Sequence, residues 1–182
     1  MSEPATIYEQ TLVVRSQIGD EAAFEELLRA YGPRLLQFTR KMMQSAPEIV
    51  EDLNQDIWLS IYRGLPGLLD ASKFRPWVFC IARNRVYKEL RRRKLLVEPL
   101  GESGHDAIQA TEDASTVDRE GLQRALNALS PQHREVLVLR FVEEMNYEEI
   151  AQITGSTLGT VRSRLHYGKR ALKTVLDKEK CL

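Results

Sequence analysis

Cysteine is nearly missing from this chain. Of 182 residues only Cys80 and Cys181 are cysteines. They stand far apart and read as a reduced buried thiol and a tail thiol, which removes the disulfide-stapled class. Histidine is sparse too: His105, His133 and His166 have no metal-ligand spacing with one another or with a cysteine. Charges interrupt every hydrophobic run before it reaches the about 20 apolar residues of a membrane helix, so no membrane insertion is expected. The N-terminus, MSEPATIYEQ, has acids where a signal peptide would carry basic residues and then an apolar core. A cytoplasmic location follows as the expectation. The chain also lacks a glycine-rich phosphate loop, a metal cluster, and a nucleophile beside a plausible base. No catalytic residue, cofactor or metal ion is expected, and an enzyme is the reading these gaps disfavour.

What is present is enough apolar surface for packed cores: 43% of residues are hydrophobic and 29% are charged. The length fits one ordinary domain or two small ones. The net charge of zero looks wrong for a nucleic-acid binder until charge is mapped along the chain. Residues 83–94 carry seven Lys/Arg against one Glu, and residues 98–120 carry seven Asp/Glu against one Arg. From Thr157 onward there are seven Lys/Arg against two acids. Neutrality hides two basic patches separated by an acidic stretch.

The hydrophobic pattern is helical nearly throughout, with little β alternation. From Phe24, apolar residues recur at Leu27, Leu28, Tyr31, Leu35 and Phe38, one buried face. Gly32-Pro33 is expected to kink or break that helix. A second helix starts at SAPE, with Ser45 near the cap and Pro47 in the first turn, and ends near Gly64. A third begins around Arg75-Pro76 and reaches the arginines at 91–93. Residues 95–118 lose the periodicity and gain Gly, Ser, Thr and acids, the composition of a linker. Helical spacing resumes at Leu122, Ala125, Leu126 and Leu129. Ser130-Pro131 then caps a helix through Val136, Leu137, Leu139 and Phe141.

The segment YEEIAQITGSTLGTVRSRLHYGKRAL is built like a helix-turn-helix. Close helix approach asks for a small residue, Ala151. A tight turn asks for glycine four residues later, Gly155. An apolar anchor for the second helix follows at Val161. At 100° per residue Val161, Leu165, Gly168 and Leu172 share one face, and Arg162, His166, Lys169 and Lys173 the opposite one. Ser163 and Arg170 flank the second set. That face carries groups able to bond base edges and phosphates in a major groove, with Ser156, Thr157 and Thr160 nearest the DNA.

Two further helices are two-faced. In the helix of residues 77–92, Phe79, Ala82, Val86 and Leu90 form a core face. Trp77, Ile81, Asn84, Lys88 and Arg91 project elsewhere, with Arg92 beside them. Aromatic, amide and basic groups on one stripe suit DNA whose bases are partly unstacked. The residues alone allow equally a core Trp77 with a solvated basic helix end. In the preceding helix Val50, Leu53, Ile57 and Ile61 point to the core, while Asp52, Gln55, Asp56 and Leu59 share the opposite face. Such a stripe suits docking on a protein, but solvated acidic faces are common.

Four segments resemble, in order, parts of the extracytoplasmic-function (ECF) sigma factors, the smallest members of the sigma-70 family. GDEAAFEELLRAYGPRLLQF resembles the start of region 2, and EDLNQDIWLSIY the helix that binds the polymerase clamp. FRPWVFCIARNRVYKELRRR is similar to the helix that recognises and opens the −10 element. LSPQHREVLVLRFVEEMNYEEIAQITGSTLGTVRSRLHYGKRAL resembles region 4, which binds the −35 element. The match spans residues 18–94 and 121–176. It implies an all-α chain: an N-terminal extension (1–17), region 2 (18–94), a flexible acidic linker (95–120) and region 4 (121–178). The implied partners are core RNA polymerase, promoter DNA and an anti-sigma factor. By position, Asp52, Leu53, Gln55, Asp56 and Trp58 would contact the clamp. Phe74, Trp77, Asn84, Lys88, Arg91 and Arg92 would face the −10 element. Ser156, Thr157, Thr160, Arg162, Ser163, Arg164 and His166 would serve the −35 element. Lys88 stands where many relatives carry Asp. The family forms its base-capturing loop between Gly64 and Phe74. The competing reading is a helix-turn-helix regulator that binds an operator without entering polymerase; it leaves the helices of residues 45–93 unexplained.

Overall fold

A computed structural model describes residues 3–97 and 124–179, and every regular element among them is helical. Four α-helices come first: α1 (Glu3–Gln17), α2 (Glu21–Met42), α3 (Val50–Gly64) and α4 (Phe74–Val97). A helical turn at 124–127 precedes α5 (Pro131–Leu137), α6 (Tyr147–Thr154) and α7 (Leu158–Glu179). The chain divides into two compact units, one built mainly on residues up to Arg92 and the other on residues from Arg93.

In the first unit α2 buries Ala23, Leu27, Tyr31, Leu35, Phe38 and Met42 along one side. Asp20 caps it, accepting from the Ala23 N–H at 3.1 Å. That bond and the neighbouring Arg15 guanidinium hold the Asp20 carboxyl below its ordinary range. The expected break at Gly32-Pro33 does not occur, and α2 runs through it. Pro33 and the Arg29 carbonyl it leaves without a helix partner both lie on the exposed side. Water can satisfy that carbonyl, and the buried residues on either side keep the helix together. Leu28, expected in the core, is exposed.

Pro47–Ile49 forms a 3-10 turn whose N-cap position is Ala46, next to Ser45 and without a side-chain cap, and α3 continues from it. Leu65–Gly67 and Ala71–Lys73 are 3-10 turns in the loop between α3 and α4. The stretch expected as an extension is helix α1. It packs against α2 and buries Leu12 and Val13, and the buried Tyr31 hydroxyl donates to Glu9 at 2.6 Å. Helix α4 continues to Val97, past the expected start of the linker, and the rest of that linker, with Leu122, lies outside the described residues.

In the second unit Ser130 caps α5, accepting from the His133 N–H at 3.4 Å, with Pro131 in the first turn. Arg134 is buried and ties down the preceding turn. Its Nε donates to the Leu126 carbonyl at 2.9 Å, and its Nη2 to the Asn127 and Leu129 carbonyls at 2.8 and 3.1 Å. The helix does not run regularly through Phe141 as its spacing predicts: Val138–Val142 is a π turn. The extra residue re-aims the chain, so Phe141 faces solvent and Met145 is fully buried.

Candidate nucleic-acid and polymerase interface

The helix-turn-helix is built as its residues dictate. Asn146 and Glu149 cap α6 reciprocally: each backbone N–H donates to the other's side chain at 2.8 Å. Gly155 ends α6 at φ +62°, a conformation in which a Cβ would be strained. Thr157 caps the next helix, its hydroxyl accepting from the Thr160 N–H at 3.2 Å. Val161, Leu165 and Gly168 are buried on one face of α7. A Cβ on Gly168 would lie 3.4 Å from the His133 carbonyl and from Leu137 Cδ1, so this glycine lets α7 sit closely on α5.

On the opposite face Arg162, Ser163, His166, Lys169 and Arg170 are exposed, as is Thr157 at the start. Three of the expected residues, Ser156, Thr160 and Arg164, are half-buried. Arg164 donates to the Ser156 hydroxyl at 2.9 Å, bracing the turn instead of reaching outward. Thr160 shares a 2.9 Å hydroxyl bond with Thr157. Ser163 spends its hydroxyl hydrogen on the Thr160 carbonyl at 3.0 Å and keeps its acceptor capacity. Two exposed aromatics here escaped the sequence reading. Tyr167 meets the His166 ring edge-on at 5.4 Å, and Phe141 lies under the Lys169 ammonium at 4.9 Å. Tyr167 could have been found from its place four residues after Ser163. Phe141 could not, because only the π turn exposes it.

Helix α3 presents Asp52, Gln55 and Asp56 to solvent. Leu53, expected at the polymerase surface, is instead a core residue at 9% exposure, since it shares the Val50/Ile57/Ile61 face. Trp58 is half-buried, edge-on to Phe24 at 6.0 Å. Phe24 also meets the exposed Tyr62 at 5.2 Å. The stripe borders a shallow groove completed by Glu89 and Arg92 of α4. Asp56 stands 3.9 Å from Arg85, which also donates to Ser60 at 2.7 Å.

On α4, Asn84, Lys88, Arg91 and Arg92 are exposed. Arg91 donates to the Tyr87 carbonyl at 3.2 Å. Arg92 grips Glu89 with two bonds of 2.8 Å, which raise its pKa further. Arg92 therefore belongs to the groove beside α3 rather than to the Asn84/Lys88 stripe. Phe74, expected to face DNA, is fully buried and edge-on to Tyr31 at 5.2 Å. As the first residue of α4 it closes the core. Trp77 combines its two readings. Its ring covers Gly64, where a Cβ would lie 3.1 Å away, and meets Phe74 at 6.0 Å, while the residue stays only half-buried. Sequence reasoning did not single out Leu69, which is wholly exposed in the loop before α4.

No helix among the described residues is long and apolar enough to cross a membrane, and no acidic, His or Cys cluster there could hold a metal ion.

Residues 27–95 match the family model for Sigma-70 region 2, and residues 119–172 that for Sigma-70, region 4. The chain is 32% identical to RNA polymerase sigma factor CarQ of Myxococcus xanthus, over 89% of this chain and 94% of that one. It is 27% identical to ECF RNA polymerase sigma factor SigW of Bacillus subtilis, over 87% and 91%. The chain belongs to the ECF sigma factors of the sigma-70 family. This sigma factor is also similar to the solved sigma factor RpoE of Bartonella quintana, in complex with the anti-sigma factor NepR. The TM-score is 0.70 and the identity 29%, with 85% of this sigma factor and 96% of that chain covered. The operator-binding alternative is not favoured, because the sigma factor matches region 2 as well as region 4.

Proposed function

We propose that this sigma factor gives core RNA polymerase its promoter specificity through surfaces on separate helices. Region 4 (121–178) reads the −35 element as duplex, with Thr157, Arg162, Ser163 and His166 entering the major groove. Arg164 and Ser156 hold the turn that aims them. Region 2 (18–94) engages the −10 element through the accessible side of Trp77 with Asn84, Lys88 and Arg91, and through the loop that carries Leu69. The Asp52/Gln55/Asp56 stripe of α3 docks on the polymerase clamp, with Trp58 at its edge. The protein acts by binding energy and not by bond chemistry of its own, in the cytoplasm. An anti-sigma factor restrains it, as RpoE of Bartonella quintana is held by NepR.

The observation that carries this reading is the exposed Arg162/His166/Lys169 face opposite the buried Val161/Leu165/Gly168 face, in a chain that also has region 2. Competition for core polymerase against a labelled sigma factor tests it. Asp52→Lys with Asp56→Lys should compete about ten-fold less well, since charge reversal at a polar interface costs several kcal/mol at most. Thermal stability should be nearly unchanged, because both residues are exposed. Equal competition by the variant would move the polymerase surface elsewhere.

A further inference from the structure

Gln17, the last residue of α1, turns its side-chain amide onto the loop that follows α3. Its Nε2 donates to the Leu65 carbonyl at 3.0 Å and to the Leu68 carbonyl at 2.7 Å. Both amide hydrogens are thus used on a single loop, and the chain leaves its 3-10 turn at Leu68 in extended conformation. The Leu65 carbonyl also accepts the Leu68 N–H at 3.1 Å, so the turn is held from inside and from α1. Gln17 is itself fixed by the chain reversal behind it: Gly19 has φ +91°, and Arg15 meets Asp20 at 2.7 Å. On the other side of the loop, Asp70 accepts from the Ser72 N–H at 2.9 Å and from its hydroxyl at 2.6 Å. Between these two anchors stands Leu69, wholly exposed.

A leucine held in water by a loop fastened at both ends gains nothing from packing. Fastening serves instead to keep one loop shape ready for a ligand, since ordering the loop beforehand removes that entropic cost from binding. We infer that Gln17 is a positioning residue for DNA opening, through which helix α1 sets the shape of residues 65–70. This rests on the proposal that the loop meets the separated −10 strand.

The test uses the full-length chain assembled with core polymerase. It measures binding to a single-stranded non-template oligonucleotide spanning the −10 element, beside binding to a −35 duplex. Gln17→Leu keeps the bulk of the side chain and removes both donors. It should weaken single-strand binding roughly five-fold or more, the scale of two lost hydrogen bonds, and leave −35 binding within about two-fold. Gln17→Arg, which restores donors, should recover most of the loss. Leu69→Ser reports on the loop directly without disturbing the core. If Leu69→Ser binds the strand weakly and Gln17→Leu binds like the parent, the positioning role is overturned while the loop remains a DNA contact. If neither change has an effect, the loop is not a DNA contact and the proposal beneath the inference fails. Equal loss of strand binding, −35 binding and melting temperature in Gln17→Leu marks a purely structural glutamine and overturns the inference.

Discussion

Phe74 and Asn84 lie ten residues apart on α4 and differ in what their loss should do. Phe74 is fully buried against Tyr31, so Phe74→Ala should cost about 3–5 kcal/mol of stability. That lowers the melting temperature of its unit by more than about 10 °C. Asn84 is exposed, donating to the Cys80 sulfur at 3.7 Å and accepting from Arg83 at 3.5 Å. Asn84→Ala should melt like the parent and weaken −10 binding. Calorimetry beside strand binding separates the two, and a stable Phe74→Ala would contradict the core assignment. Tyr31 adds a pH signature. Burial, and then its bond to Glu9, raise its pKa far above the ordinary 10.0. The folded state keeps the proton that the unfolded state releases, so the stabilisation is complete below about pH 10 and falls as pH rises beyond it. Tyr31→Phe should flatten the stability loss between about pH 9.5 and 11, and an unchanged slope there would dismiss the effect.

At the scale of the element, α7 is where sequence and structure agree best. As far as Arg170 its buried and exposed faces follow helical period, and the turn before it follows from Gly155, whereas Leu172 and Lys173, expected on opposite faces, are both half-buried. Arg162→Ala should therefore cost about 1–3 kcal/mol in −35 binding and relax specificity locally. Thr157→Ala should cost about 1 kcal/mol of stability through its lost cap. A footprint of the −35 region that is unchanged in Arg162→Ala would remove that residue from the interface. Elsewhere legibility stops where tertiary context decides. Helical spacing assigned Leu53 correctly to the core, but its family position assigned it to the polymerase surface, and the buried face prevailed. Pro33 looked like a breaker because a sequence cannot say that its orphaned carbonyl faces water. Phe141 looked like core because its spacing is helical, and the π turn shifts it by one residue. Family position makes Arg164 a reader, yet its guanidinium donates to the Ser156 hydroxyl. The groove formed by Glu89 and Arg92 beside α3 required two helices to meet and left no trace in either one alone.

Across the whole molecule the charge pattern accounts for a neutral protein that binds DNA. Basic residues gather on exposed parts of α4 and α7, and the acids of α3 face solvent where a protein partner can reach them. Promoter binding by the assembled enzyme should fall steeply with salt, as phosphate neutralisation requires. If this chain confers promoter choice on core polymerase, the choice must show in the templates that the assembled enzyme transcribes. Run-off transcription on a promoter library, with core polymerase alone and with the chain added, measures it most directly. The chain should yield transcripts from a minority of templates sharing paired −35 and −10 elements, with that selection degraded by Arg162→Ala. Transcripts indifferent to both elements, or selective binding to a palindromic site with no transcripts at all, would contradict it.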